Sequence, residues 1–302
     1  WWAVSGVVRR GWGSGVTRRA GAPSHGAGAV VGAAMRSAAK LYDWSSDQLE
    51  GFLADPNPVI VIAAIDAALD KVPMPIDILL PLLDSHEPKV REAAIHEIPR
   101  GAGPEEVAQL ITFARNATGP GKLAAIEALG SAPITSASET YLMELAQGFE
   151  PELRMSALAS LAKKAAPLER AKAVWRIASD YQLSLAIRAR AMRCLELTRG
   201  PILDHIRNVL WNTDQVTRYL AGRVLVAEGA LDGVELLATL LADGFGELDR
   251  DRARLLDRET RTILAMVTGL SWDSPPEQWR EWHGSPKQCP LPESLLGIVL
   301  QR

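Results

Sequence analysis

Glu92 and His96 stand four residues apart, with His86 shortly before them. On a helix that spacing sets Glu92 and His96 on one face. Two imidazoles and a carboxylate are ligand types for a divalent metal. The order is not His-Glu-x-x-His, and no further ligand cluster accompanies it, so no metal and no cofactor are expected. Asp204-His205 has no activated serine or cysteine near it in sequence. Cys194 sits among helical apolar residues and reads as a small core residue, where burial disfavours a thiolate. A Walker-type phosphate loop is absent. Gly11-Trp12-Gly13-Ser14-Gly15 has no preceding strand and no acidic partner after a βαβ unit, so it is not a dinucleotide fingerprint. Tyr219, Arg193, Arg223 and Trp211 form the one local cluster with an aromatic and cations that could grip a damaged duplex. No catalytic residue is assigned, and more weight falls on binding than on catalysis.

The elements that hold these residues follow from a repeat. A small residue recurs at Ala64, Ala94, Ala125, Ala157, Ala191 and Ala221, at steps of 30 to 34 residues. Three residues before it stand Val61, Arg91, Lys122, Arg154, Arg188 and Arg218. One residue after it stand Ile65, Ile95, Ile126, Leu158, Met192 and, as an exception, Gly222. Four residues after it stand Ala68, Ile98, Leu129, Leu161, Leu195 and Leu225. This spacing is one stripe of a helix, and a small residue in the stripe lets two helices approach closely. Between these helices the apolar spacing predicts a second set over about 46–54, 76–84, 104–115, 138–147, 167–179, 201–211 and 231–242. Prolines and glycines mark the joins, among them Pro58, Pro73, Pro88, Pro99, Pro120, Pro133 and Pro151. A pair of helices this short cannot bury its own apolar face and must stack. The basic position lies at the edge of the stripe. Asp55, Asp84, Asp180 and Asp214 just upstream could join it in a ladder between units, or could cap the second helices instead.

The runs Leu83-Asp84…Pro88-Lys89-Val90-Arg91-Glu92-Ala93-Ala94-Ile95 and Pro151-Glu152-Leu153-Arg154-Met155-Ser156-Ala157-Leu158 carry a family likeness. The chain resembles the HEAT-repeat family, in the short bacterial form known as phycobilin-lyase-type HEAT-like repeats, over roughly 45–283. The resemblance implies an all-α, armadillo-like fold. It would be a right-handed α-solenoid of about six to seven stacked helix pairs closed by a Trp-rich cap. It also implies a scaffold or adaptor, with DNA glycosylases and chromophore lyases as enzymes of that fold.

In such a stack the second helices line the concave face. The positions one and five after the basic residue point outward: Ile62/Asp66, Glu92/His96, Leu123/Glu127, Met155/Ala159, Ala189/Arg193 and Tyr219/Arg223. The early half is acidic, helped by Glu97, and the late half basic, helped by Arg190, with apolar Leu123 and Met155 between. A groove of this kind suits a protein or peptide partner and argues against nucleic acid. The alternative is a row of ordinary solvated helix faces. A third possibility is an assembly subunit that works through its ends.

The ends differ from the middle. Residues 1–42 carry Arg9, Arg10, Arg18, Arg19, Arg36 and Lys40 before the first acid, Asp43. The whole chain has a net charge of −3 over 302 residues, so this arm at +6 leaves −9 elsewhere. It reads as disordered. It opens on Trp1, with Met35 as an alternative start, and its origin reads as a gene-calling extension or fragment, a targeting segment, or a nucleic-acid tail. After repeats over 43–269, Thr268-Gly269…Asp273…Trp279-Arg280-Glu281-Trp282 resembles the ending of bacterial HEAT-repeat proteins, with His283 where a second Trp is frequent. Trp272, Trp279 and Trp282 over 270–284 are expected to cap the stack, or else to cage a cation or sugar. Residues 285–302 read as a loose tail, although 295–300 could dock on the last helices. No apolar run is long enough for a membrane span. The two cysteines build no disulfide framework, which fits a cytoplasmic setting.

Overall fold

The computed structural model describes residues 46–68, 74–164, 167–198, 202–209, 214–288 and 291–292. Residues 1–45, 293–302, Trp211 and the short joins between these stretches lie outside them. The expected disordered arm and the docking of 295–300 therefore also lie outside the described residues. Among the described residues there are fifteen helices and no strand. The chain divides into two units, Trp1–Val72 and Pro73–Arg302.

In the first unit α1 (Ser46–Leu53) packs on α2 (Pro58–Ala68). The second unit is a succession of hairpins. These are α3 (Ile76–Leu83) with α4 (Pro88–Gly101), α5 (Pro104–Asn116) with α6 (Gly119–Ser131), and α7 (Ser136–Gln147) with α8 (Pro151–Ala162). They continue as α9 (Leu168–Ser179) with α10 (Leu185–Thr198), α11 (Leu203–Val209) with α12 (Gln215–Ala227), and α13 (Leu231–Asp243) with α14 (Arg250–Thr268). Short α15 (Pro276–Arg280) packs on α13. Each second helix also packs on the next one, α4 on α6, α6 on α8, α8 on α10, α10 on α12 and α12 on α14. Helices stacked as successive neighbours in this way are consistent with a solenoid.

Local chemistry sets the ends of these helices. Proline occupies the first helical position of α4, α5 and α8, where its missing N–H is no loss. Thr135 accepts from the Ser138 N–H at 3.1 Å and Asp214 from the Thr217 N–H at 3.0 Å, so both act as N-caps. Pro99, which reads as a stop, instead lies in the last turn of α4. So near the end, its missing N–H removes only one intrahelical bond.

All six stripe alanines are buried to 0 % exposure. The large residues after them, Ile126, Leu158, Leu161, Leu195 and Leu225, are buried at 1 % or less. Gly222 breaks the stripe for a reason that lies in α13. A Cβ on Gly222 would come within 2.6 Å of Leu237, and one on Gly233 within 2.8 Å of the Val226 nitrogen. The two glycines let α12 and α13 cross more closely than alanine allows. Gly233→Ala should therefore destabilise by about 1–3 kcal/mol through overpacking, against a helix-propensity gain of ~1 kcal/mol. Gly51→Ala, whose Cβ would meet nothing within 4 Å, should not destabilise. Urea midpoints of the two variants decide this, and equal midpoints would remove the close-crossing argument.

The basic position does something other than build a ladder. Arg91 donates to the Ser85 carbonyl at 2.7 Å, Arg154 to those of Gln147 (3.2 Å) and Gly148, and Arg188 to that of Ala178 at 3.0 Å. Each guanidinium thus satisfies carbonyls at the C-terminal end of the first helix in its own hairpin. Two of the basic positions also reach an acid of the next unit, Arg188 to Asp214 at 3.1 Å and Arg218 to Glu247 at 3.9 Å. Asp55 and Asp180 accept instead from backbone N–H groups two residues on, at 2.8 and 2.9 Å, as turn residues do. Other ion pairs between units join first helices: Arg115–Glu144 and Arg170–Glu139, each at 3.4 Å, and Arg207–Asp232 at 2.6 Å.

The cap rests on one tryptophan. Trp279 is 0 % exposed, whereas Trp272 is 49 % exposed and Trp282 half-buried. The rings of Trp272 and Trp279 face the guanidinium of Arg261, at 5.9 and 5.8 Å. A cation of the chain itself therefore stands where a caged ligand would. The segment after the cap is not loose where it is described. The Lys287 N–H donates to Val267 at 2.9 Å and the Gln288 side chain to the Glu228 carbonyl at 3.1 Å. Leu291 is 3 % exposed.

Candidate functional site

The first turns of α4, α6, α8 and α10 stand side by side because their alanine stripes bury the opposite face. The face left open forms one groove of about 770 Å³. Five residues expected on the concave face line it: Glu92, His96, Leu123, Glu127 and Met155. Leu123 and Met155 are half-buried and, with Ile187, give an apolar floor, while Glu92, Glu127 and Glu152 are exposed carboxylates. None of the three carboxylates has an ion pair or hydrogen bond among the described residues. Arg91, the cation of the lining, is turned to the Ser85 carbonyl. Asp66, assigned to the same face, is half-buried on α2 in the first unit. Glu97 does not add to the acidic half: it is 1 % exposed and accepts from Arg100 at 3.1 Å. Burial raises its carboxyl above the usual range, against the opposing pull of Arg100. Its other oxygen has no hydrogen-bond partner.

The basic half of the expected face is not open. Tyr219 is 0 % and Arg223 1 % exposed, and Ala189 is buried. The guanidinium of Arg223 donates to Glu196 at 2.6 Å, to Glu259 of α14, and to the Pro292 carbonyl at 2.7 Å. Arg193 is bonded to Glu196 at 3.0 Å and to the Leu291 carbonyl at 3.1 Å. Arg190 is half-buried on α10. The outward positions of α10 and α12 are thus covered by α14 and by the segment that returns after the cap. Burial works against the charge of Arg223. The Tyr219 phenol, Glu196 and Glu259 outweigh it and hold the pKa above its ordinary value. Burial likewise lifts the Tyr219 hydroxyl well above its usual value. The cluster of Tyr219, Arg193 and Arg223 is an internal network, not a surface for gripping a duplex, and Trp211 lies outside the described residues.

The remaining candidates stay apart. His86 and His96 are exposed, and no group of three potential metal ligands occurs among the described residues. Burial pushes the Cys194 thiol up to about 12, so it stays protonated at neutral pH. Asp204 pairs with Arg207 at 3.0 Å.

Two exposed aromatic residues escaped sequence reasoning. Phe149 is 100 % and Tyr181 74 % exposed, in the turns that lead into α8 and α10. Their signal is an aromatic residue inside a turn, where apolar spacing no longer accounts for it. The cover over α10 and α12 left no such signal.

Comparison with protein-family models, with curated proteins and with solved structures gives no match. Among the described residues no helix is long and apolar enough to cross a membrane.

Proposed function

We propose that this chain is a non-catalytic scaffold that holds a segment of a partner protein in the groove of α4, α6, α8 and α10. The observation that carries the reading is that groove: an apolar floor at Leu123 and Met155 beside carboxylates that no neighbour neutralises. The surrounding architecture is a HEAT-like, right-handed superhelix of about six to seven helix pairs. Neighbour-on-neighbour packing of the second helices supports it. The buried Cys194 thiol fits a reducing, cytoplasmic setting, as in a bacterial cell.

Leu123→Arg and Met155→Arg put a long charged side chain into the groove without touching the buried stripe. Affinity purification from the native source should then recover about tenfold less of the partner, with circular dichroism and thermal midpoint unchanged. Undiminished recovery by both variants would overturn the reading. Recovery that depends only on the terminal segments would favour an assembly subunit.

A further inference from the structure

The chemistry of the groove specifies its occupant further, granted that the groove is the binding site. We propose that it takes a basic, non-helical segment of a partner protein, with aliphatic residues on the floor and lysine or arginine against the carboxylates.

Two observations converge. The charge of the lining is uncompensated: Glu92 on α4, Glu127 on α6 and Glu152 on α8 make no ion pair among the described residues, and Arg91 is occupied with Ser85. An acidic segment or a phosphate backbone entering there meets three like charges, and a basic one meets three partners. The second observation is a template within the chain. Residues 285–288 have no helical structure, and Leu291 and Pro292 lie against the same outward face farther along. There the residues five after the basic position, Arg193 and Arg223, donate to its backbone carbonyls, and Leu291 is buried. The equivalent positions on α4 and α6 are His96 and Glu127, and both line the groove. The face thus already accepts an irregular chain lying across successive second helices. In the open half Glu127 replaces a donor with an acceptor, which suits N–H and cationic groups.

The test uses the full chain labelled with ¹³C at methionine methyls. Met155 lies in the groove, while Met74 and Met192 are buried elsewhere and report on overall disturbance. The probe is the synthetic peptide acetyl-Ser-Leu-Lys-Leu-Arg-Val-Lys-Leu-Ser-amide, beside a counterpart with glutamate at each basic position. The basic peptide should shift Met155 saturably and leave Met74 and Met192 in place, and the acidic one should not. The triple variant Glu92→Gln, Glu127→Gln, Glu152→Gln should bind about tenfold more weakly, the sum expected of three partly exposed ion pairs. Equal shifts by both peptides, or unchanged affinity in the triple variant, would overturn the basic occupant and leave the groove reading standing. If neither peptide moves Met155 the inference also fails, and the groove reading is then decided by the Leu123→Arg purification. If Met155 shifts on deletion of 293–302 without any peptide, the occupant is the chain's own segment. If it shifts on dilution, the occupant is a second copy. Either result overturns the partner assigned here.

Discussion

Arg223→Met should cost about 3–5 kcal/mol and should release α10 to α14 while α4 to α8 stay folded. Arg223 is 1 % exposed and lies between the buried carboxylates of Glu196 and Glu259. Methionine fills much of its volume but removes the cation that lies between the two carboxylates, leaving Glu196 with Arg193. The cost is that of taking a buried cation away from buried carboxylates, and it exceeds the net worth of the original pairs. The Pro292 carbonyl loses its donor as well, so the returning segment should loosen too. A triple variant with Glu196→Gln and Glu259→Gln in addition to Arg223→Met should recover part of the loss, because neutral amides avoid the repulsion. Hydrogen exchange is the deciding measurement, since stacked hairpins unfold locally and a single global value would average over them. Loss of protection confined to α10, α12 and α14 is expected. A change under 1 kcal/mol, or protection lost evenly along the second unit, would show that this network does not hold the end of the stack.

Trp279→Ala should cost a similar amount, about 3–5 kcal/mol, through a different cause. The indole is fully buried where α15 packs on α13. Its removal leaves a cavity between α13 and α15, the last of the described helices. The Arg261 guanidinium also loses one of the two rings it faces. Trp272→Ala should cost no more than about 1 kcal/mol, because that ring is half exposed and contributes mainly through Arg261. The contrast separates a cap built on one side chain from a cap shared by three. Denaturant titrations followed by exchange at α13 and α14 give the comparison. Equal losses in the two variants would mean that the exposed ring carries as much as the buried one.

Much of the fold was legible because the information is local. A small residue followed by large apolar ones at helical spacing, and a proline at the next start, act within one hairpin. The neighbouring hairpin carries the same pattern, so the stacking partner is also read from the repeat. The same holds for Glu92, His96, Leu123, Glu127 and Met155, which lie where only adjacent repeats meet and which line one groove. The role of the basic position is not decided by the sequence. An arginine beside an upstream aspartate allows a pair or leaves the aspartate to cap a helix, the carbonyls left open at the end of α3, α7 and α9 compete for the guanidinium, and backbone acceptors have no letter in the sequence.

The sequence by itself determined that the chain is helical, that its helices come in pairs, and which stripe of each second helix is hidden, since periodicity and residue size decide all three. The tertiary structure alone decided which outward positions remain open. Arg193 and Arg223 have the same helical register as His96 and Glu127, yet they meet chain 98 and 69 residues farther on. Exposure depends on what returns to cover a face, and that return is governed by the closing of the stack at Trp279, far from the residues it conceals.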